Sequence, residues 1–124
     1  NDFSKDANKI IDELQVKLET KNFENAKQYY KTRNYKSAII AFENFNKDFP
    51  DSKFNDEGMY LKILSQYNIA VNSFQNLQEE RFRELVDLYL DFVDVYPNSS
   101  YRLDAERMYV ESLNILTNFA SQKN

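Results

Sequence analysis

The phrase FPDSKFNDEG at residues 49–58 returns as YPNSSYRLDA at residues 96–105, 47 positions further on. The residues ahead of it return in the same register: Tyr35, Ala38, Ile39, Phe42 and Phe45 become Phe82, Leu85, Val86, Tyr89 and Phe92. A pattern copied at one fixed period marks a repeat solenoid, in which each unit buries its apolar face only against its neighbours. Such a chain is built to present surface. The functional question therefore shifts from which reaction it runs to which partner it holds.

Hydrophobic residues make up 42% of the 124 positions, enough for the core of one domain. One Gly and two Pro leave little turn chemistry for a β fold, so an all-α chain is expected. Both prolines lie inside the copied phrase. Cysteine and histidine are absent, which excludes disulfides, Cys/His zinc sites, thiol nucleophiles and an imidazole base. Only carboxylate chemistry remains open to it. A net charge of −4 without a basic footprint argues against nucleic acid. No apolar run is long enough to span a bilayer, and no signal peptide is recognisable.

Phe3, Ala7, Ile10, Ile11, Leu14 and Leu18 recur at steps of three and four, the spacing of a helix face. Phe23, Ala26, Tyr29 and Tyr30 follow after a one-position slip with no Gly or Pro between. One long leading helix is expected over residues 3–33, capped at Ser4. Further helices are expected at 35–49, 54–74, 80–96 and 101–118, with a frayed tail at 119–124. Pro50 and Pro97 stop the second and fourth, and Asp51 or Ser52, then Asn98 or Ser99, cap the helices that follow. The third is apolar on two sides, with Gly58, Leu61, Leu64 and Val71 on one and Tyr60, Ile63, Tyr67, Ala70 and Phe74 on the other. It should be sandwiched between neighbours. Polar residues 75–79 read as a loop. On the last helix Ala105, Met108, Leu113, Ile115 and Leu116 are expected inward. Phe3-x-x-Asp6-Ala7 repeats the helix start seen at Phe54-x-x-Glu57-Gly58 and Tyr101-x-x-Asp104-Ala105. With Asn1 in place of an initiator methionine, the chain is expected to be a piece of a longer protein, beginning just after a repeat boundary.

Ala38, Phe42, Phe45 and Pro50, and again Leu85, Tyr89, Phe92 and Pro97, resemble the second helix and exit turn of the tetratricopeptide repeat. Ala26 and Tyr29 fill the small and aromatic slots of its first helix. Phe45 and Phe92 stand where that repeat prefers alanine, and the period exceeds its usual ~34 residues. Over almost the whole chain, the order AKQYYKTRNYKSAIIAFENFNKDFPDSKF followed by YPNSSY resembles the C-terminal half of the BamD family. These are lipoprotein subunits of the outer-membrane β-barrel assembly machinery. The aromatic-Pro-x-Ser-x-aromatic phrase also occurs in periplasmic TolA-binding tetratricopeptide proteins. Those carry a Trp-Leu-Gly-Glu run after it, and this chain has no Trp.

The resemblance implies a right-handed, tetratricopeptide-like α-α superhelix of five helices and a periplasmic scaffold without catalysis or cofactor. It implies a lipid anchor on a cysteine outside these residues as the one membrane attachment. It also implies a protein partner, the periplasmic domains of the barrel-forming subunit BamA. The alternative is another envelope adaptor, of the TolA-binding cell-division type or a polysaccharide-export accessory.

Ten Phe and nine Tyr at helical spacing read first as core. Phe23 and Tyr30, beside Lys27, are the candidates for partner contact on the inner face of the first helix. Ile40 lies off the main stripe of its helix, among Lys36, Glu43, Asn44 and Lys47. Packing on the third helix is favoured for it over a role as an exposed anchor. Glu79-Glu80 and Asp87-Asp91-Asp94 read as a solvated helix face, since the spacing is helical and no calcium-loop glycine is present. Gly58 reads as the small residue at a close helix crossing. Apolar flanks left open on the first and last helices predict a marginal monomer or a fortuitous dimer.

Overall fold

The computed structural model describes residues 2–123, which form five helices: α1 (Asp2–Lys31), α2 (Tyr35–Asp48), α3 (Asn55–Val71), α4 (Gln75–Val95) and α5 (Arg102–Gln122). No strand occurs among the described residues. Each helix packs on the next through a short connection, as antiparallel neighbours do. In addition α1 touches α3 and α3 touches α5, whereas α2 and α4 do not meet. The first helices of successive pairs thus line the tighter, inner side of a tetratricopeptide-like stack.

The copied phrase folds the same way twice. Phe49 and Tyr96 end their helices at φ −132°, ψ 66° and φ −125°, ψ 65°. The backbone N–H of Ser52 donates to Phe49 at 3.1 Å, and that of Ser99 to Tyr96 at 3.2 Å. Each serine Oγ then accepts the N–H two residues on, Phe54 or Tyr101, at 3.1 Å. Even the residue after the aromatic plays one part. Asn55 Nδ2 donates to the Pro50 carbonyl at 3.3 Å, and Arg102 donates to that of Pro97 at 2.6 Å. Proline stops the preceding helix, and the serine hydroxyl takes the N–H of Phe54 or Tyr101. Those aromatics, rather than residues 51–52 and 98–99 as expected, are the N-caps of α3 and α5, and neither carries a side-chain cap bond.

Two core clusters share α3. Phe23, Ala26, Ala38, Phe42, Phe45 and Leu61 form the first; Ile63, Leu85, Tyr89, Phe92, Ala105 and Met108 form the second; Tyr60 and Leu64 pack against both. No residue of α3 from Asn55 to Ala70 is exposed. This is the two-sided helix that the sequence pattern predicts.

Several boundaries and faces differ from the sequence expectation. Helix α1 begins at Asp2, so Ser4 lies inside it rather than at its cap. Residues 75–79 open α4 rather than form a loop, because polarity without Gly or Pro does not break a helix. The break comes earlier. The Ser73 N–H turns back to the Ala70 carbonyl at 3.2 Å, a tightened last turn that closes α3 at Val71, and the Ser73 and Asn72 side chains bond the Ile69 and Asn68 carbonyls at 2.6 and 2.8 Å. Phe74 then turns the chain with ψ 150° and packs on neither side of α3; Val71 is exposed as well. On α5 the inward position is Ser112, with its Oγ bonded to the Met108 carbonyl at 2.7 Å, while Leu113 faces out. The tail expected to fray continues α5 to Gln122. Arg33, the one non-Gly residue with positive φ among those described, at 65°, closes α1. The N–H of Asn34 donates to the Tyr29 carbonyl and that of Arg33 to Tyr30, a Schellman-type cap built without glycine.

Candidate partner-binding surface

The inner side begins with Lys27 and Tyr30 on α1. Lys27 Nζ lies 3.0 Å from the Glu57 carboxylate on α3, and this contact holds the amine above its ordinary value against the opposing effect of burial. Tyr30 leans on the first core cluster and meets Tyr35 edge-on at 5.9 Å. Burial, with a smaller contribution from Tyr35, raises its hydroxyl pKa.

The same architecture returns one unit later with different chemistry. The ring of Tyr60 stacks on Tyr101 at 4.6 Å, as Phe23 stacks on Phe54 at 4.8 Å. Tyr60 has the hydroxyl that Phe23 lacks, and it donates to the Asp104 carboxylate. Burial first, and then this bond, hold the Tyr60 phenol protonated far above its usual range. Tyr67 is likewise raised, chiefly by its bond to Glu111 and then by burial. Glu57 and Asp104 occupy the same position 47 residues apart, and each ties α3 or α5 to the preceding first helix. A further tie runs from Ser99 Oγ to Asp56 at 2.6 Å.

The four expected contact residues separate. Lys27 and Tyr30 share α1 and remain partly accessible. Phe23 is 1% exposed, the hub of a ring of aromatics formed by Phe42, Phe45 and Phe54, and offers no surface to a partner. Its periodicity marked the buried face of α1, and the ring at position 54 closes over it. Ile40 is 58% exposed on α2 and does not pack on α3, contrary to the favoured expectation. Sequence reasoning passed over Tyr60, Tyr67, Asp104 and Glu111 as contact residues; the 47-residue offset from Glu57 was the signal that could have found Asp104.

Other charged groups have plain surroundings. Asp87, Asp91 and Asp94 are exposed along α4. Glu79 is bound by Lys123 at 2.7 Å and Arg83 at 3.2 Å, which together depress its pKa. Lys62 on α3 is partly buried, and desolvation lowers its pKa despite the opposing pull of Glu43 and Asp91. A shallow groove of about 440 Å³ runs along α5 between Leu103, Val110 and Asn114. Among the described residues no helix is long and apolar enough to cross a membrane.

Repeated antiparallel pairs, a shared central helix and unit-to-unit ties on the inner side define a tetratricopeptide-like repeat protein. The chain belongs to the YfiO family of outer membrane lipoproteins, whose family model matches residues 14–120. This is the BamD family that the motif order resembled. No curated protein matches the chain in sequence.

Proposed function

We propose that the chain is a non-catalytic scaffold module of the outer-membrane protein assembly machinery, working on the periplasmic side and docking partner subunits through its repeat surface. The observation that carries this reading is the family match across residues 14–120 on a fold whose copied phrase repeats in geometry as well as in sequence. The partner proposed is a barrel-forming subunit of the BamA kind, met through Lys27, Tyr30 and the exposed Ile40. A tyrosine half-sunk beside a lysine gives area with a polar tip, a combination favoured at interfaces.

The test is a pull-down of the chain against the envelope fraction of its source, with Tyr30→Ala and Lys27→Glu beside the wild type. Loss of a barrel-assembly subunit in either variant is the expected result. Retention of every partner in both would move the docking surface elsewhere.

A further inference from the structure

The hairpin joining α3 to α4 is longer than the one joining α1 to α2. Phe23 and Tyr60 mark equivalent points on α1 and α3, since each stacks on the ring that opens the next first helix. Phe42 and Tyr89 mark equivalent points on α2 and α4. The chain takes 19 residues from Phe23 to Phe42 and 29 from Tyr60 to Tyr89. Shared between two helical arms, the excess lifts the second hairpin roughly 7 Å beyond the first, at a rise of about 1.5 Å per residue.

At the tip, Phe74 is 82% exposed and Val71 39%. Residues 63–78 carry no charged side chain, in a chain that is 29% charged. Residues 112–122 of α5 are also uncharged. They come alongside the tip, where Ile115, Asn118, Phe119 and Gln122 line a shallow cleft with Gln75. The two longest uncharged stretches of the sequence therefore meet at one end of the stack. At its border the Glu79 carboxylate is held between Lys123 and Arg83.

We propose that this uncharged end is a docking surface for a folded protein partner, which receives Phe74 in an uncharged apolar pocket. The exposed amides of Gln75, Asn76 and Asn118 supply the hydrogen-bonding rim. Interface cores are depleted in charge and enriched in aromatics, and one desolvated aromatic commonly dominates their energy. An anionic lipid surface or a nucleic acid would call for a cluster of cations around the tip, and residues 63–78 hold none. The inference rests on the reading of the chain as a docking module, but it places the contact on a different helix pair from Lys27 and Tyr30.

The experiment puts a photoreactive benzophenone amino acid in place of Phe74 and irradiates the chain in the envelope fraction of its source. The cross-linked protein is identified by mass spectrometry, purified, and titrated with wild type, Phe74→Ser and Lys27→Glu at low and high salt. One protein species should be captured. Phe74→Ser should weaken its binding about tenfold or more, with little dependence on salt and no change in thermal midpoint. Loss of binding in Lys27→Glu with full binding in Phe74→Ser overturns this inference and spares the docking reading. Full binding in both overturns this inference and moves the docking surface away from both sites. Cross-linking only to phosphatidylethanolamine–phosphatidylglycerol vesicles, or only to a second copy of the chain, also overturns it.

Discussion

Exchanging Gly58 for alanine should stabilise the fold by about 1 kcal/mol. Gly58 is buried in the first turns of α3, where that helix crosses α1 and α2. A Cβ built there would lie 3.5 Å from Cε1 of Phe23 and 3.6 Å from Cδ1 of Phe42, ordinary van der Waals contact that asks no neighbour to move. Two effects then share one sign. Glycine in a helix interior costs about 0.8–1.0 kcal/mol relative to alanine. Burying one further methyl adds up to roughly 0.8 kcal/mol. The equivalent slot in the second copy already holds Ala105, fully buried, so this crossing accommodates a methyl group. Ala105→Gly should therefore cost about what Gly58→Ala gains. In a chain of this length 1 kcal/mol moves the thermal midpoint by about 3–5 °C, a shift read directly by far-UV circular dichroism. A lower midpoint for Gly58→Ala would refute the packing inferred at the crossing. A neutral Ala105→Gly would refute the equivalence of the two copies.

The two phrase serines should differ in worth, because Ser99 both accepts the Tyr101 N–H and donates to Asp56, whereas Ser52 accepts only the Phe54 N–H. Ser99→Ala should cost about 1–2 kcal/mol and Ser52→Ala about 0.5–1, and equal losses in urea unfolding would deny the Asp56 tie its role. Arg33→Gly should stabilise by about 0.5–1 kcal/mol, since the left-handed cap at φ 65° suits glycine; a destabilised variant would mean that the arginine side chain holds the turn. Lys62→Met should raise the midpoint at neutral pH. Burial sets the folded amine below its ordinary value of 10.5, so the unfolded chain binds the proton more readily across the window between the two, and wild-type stability climbs with pH there. The advantage of the methionine should shrink as pH nears 10.5, and a gap constant with pH would contradict the assignment.

Much of the fold could be read along the chain because its signals are local. Proline stops a helix wherever it falls, so both helix ends before Pro50 and Pro97 were legible, as was the two-sided pattern of α3. The ends that misled were those with no such punctuation. Residues 75–79 are mostly polar yet helical, because the chain turned before them, where the Ser73 N–H bonds back to the Ala70 carbonyl. Among the candidate contacts, hydrophobicity marked Phe23 and Ile40 alike as apolar. Their opposite fates, one in the core and one on the surface, depend on whether a ring from a distant helix lies above them.

The period of 47 residues, read from the chain alone, determined that helices would stack in copied units and that the copied turn would take one geometry. Tertiary structure alone decided which acid meets which partner. Glu57 takes Lys27 and Asp104 takes Tyr60, a difference that follows from the side chain each preceding helix happens to present. It alone decided, too, that the two uncharged stretches share one end, with Phe74 exposed there. Helix periodicity is written within a few residues, whereas contacts more than 40 positions apart exist only once the stack has closed.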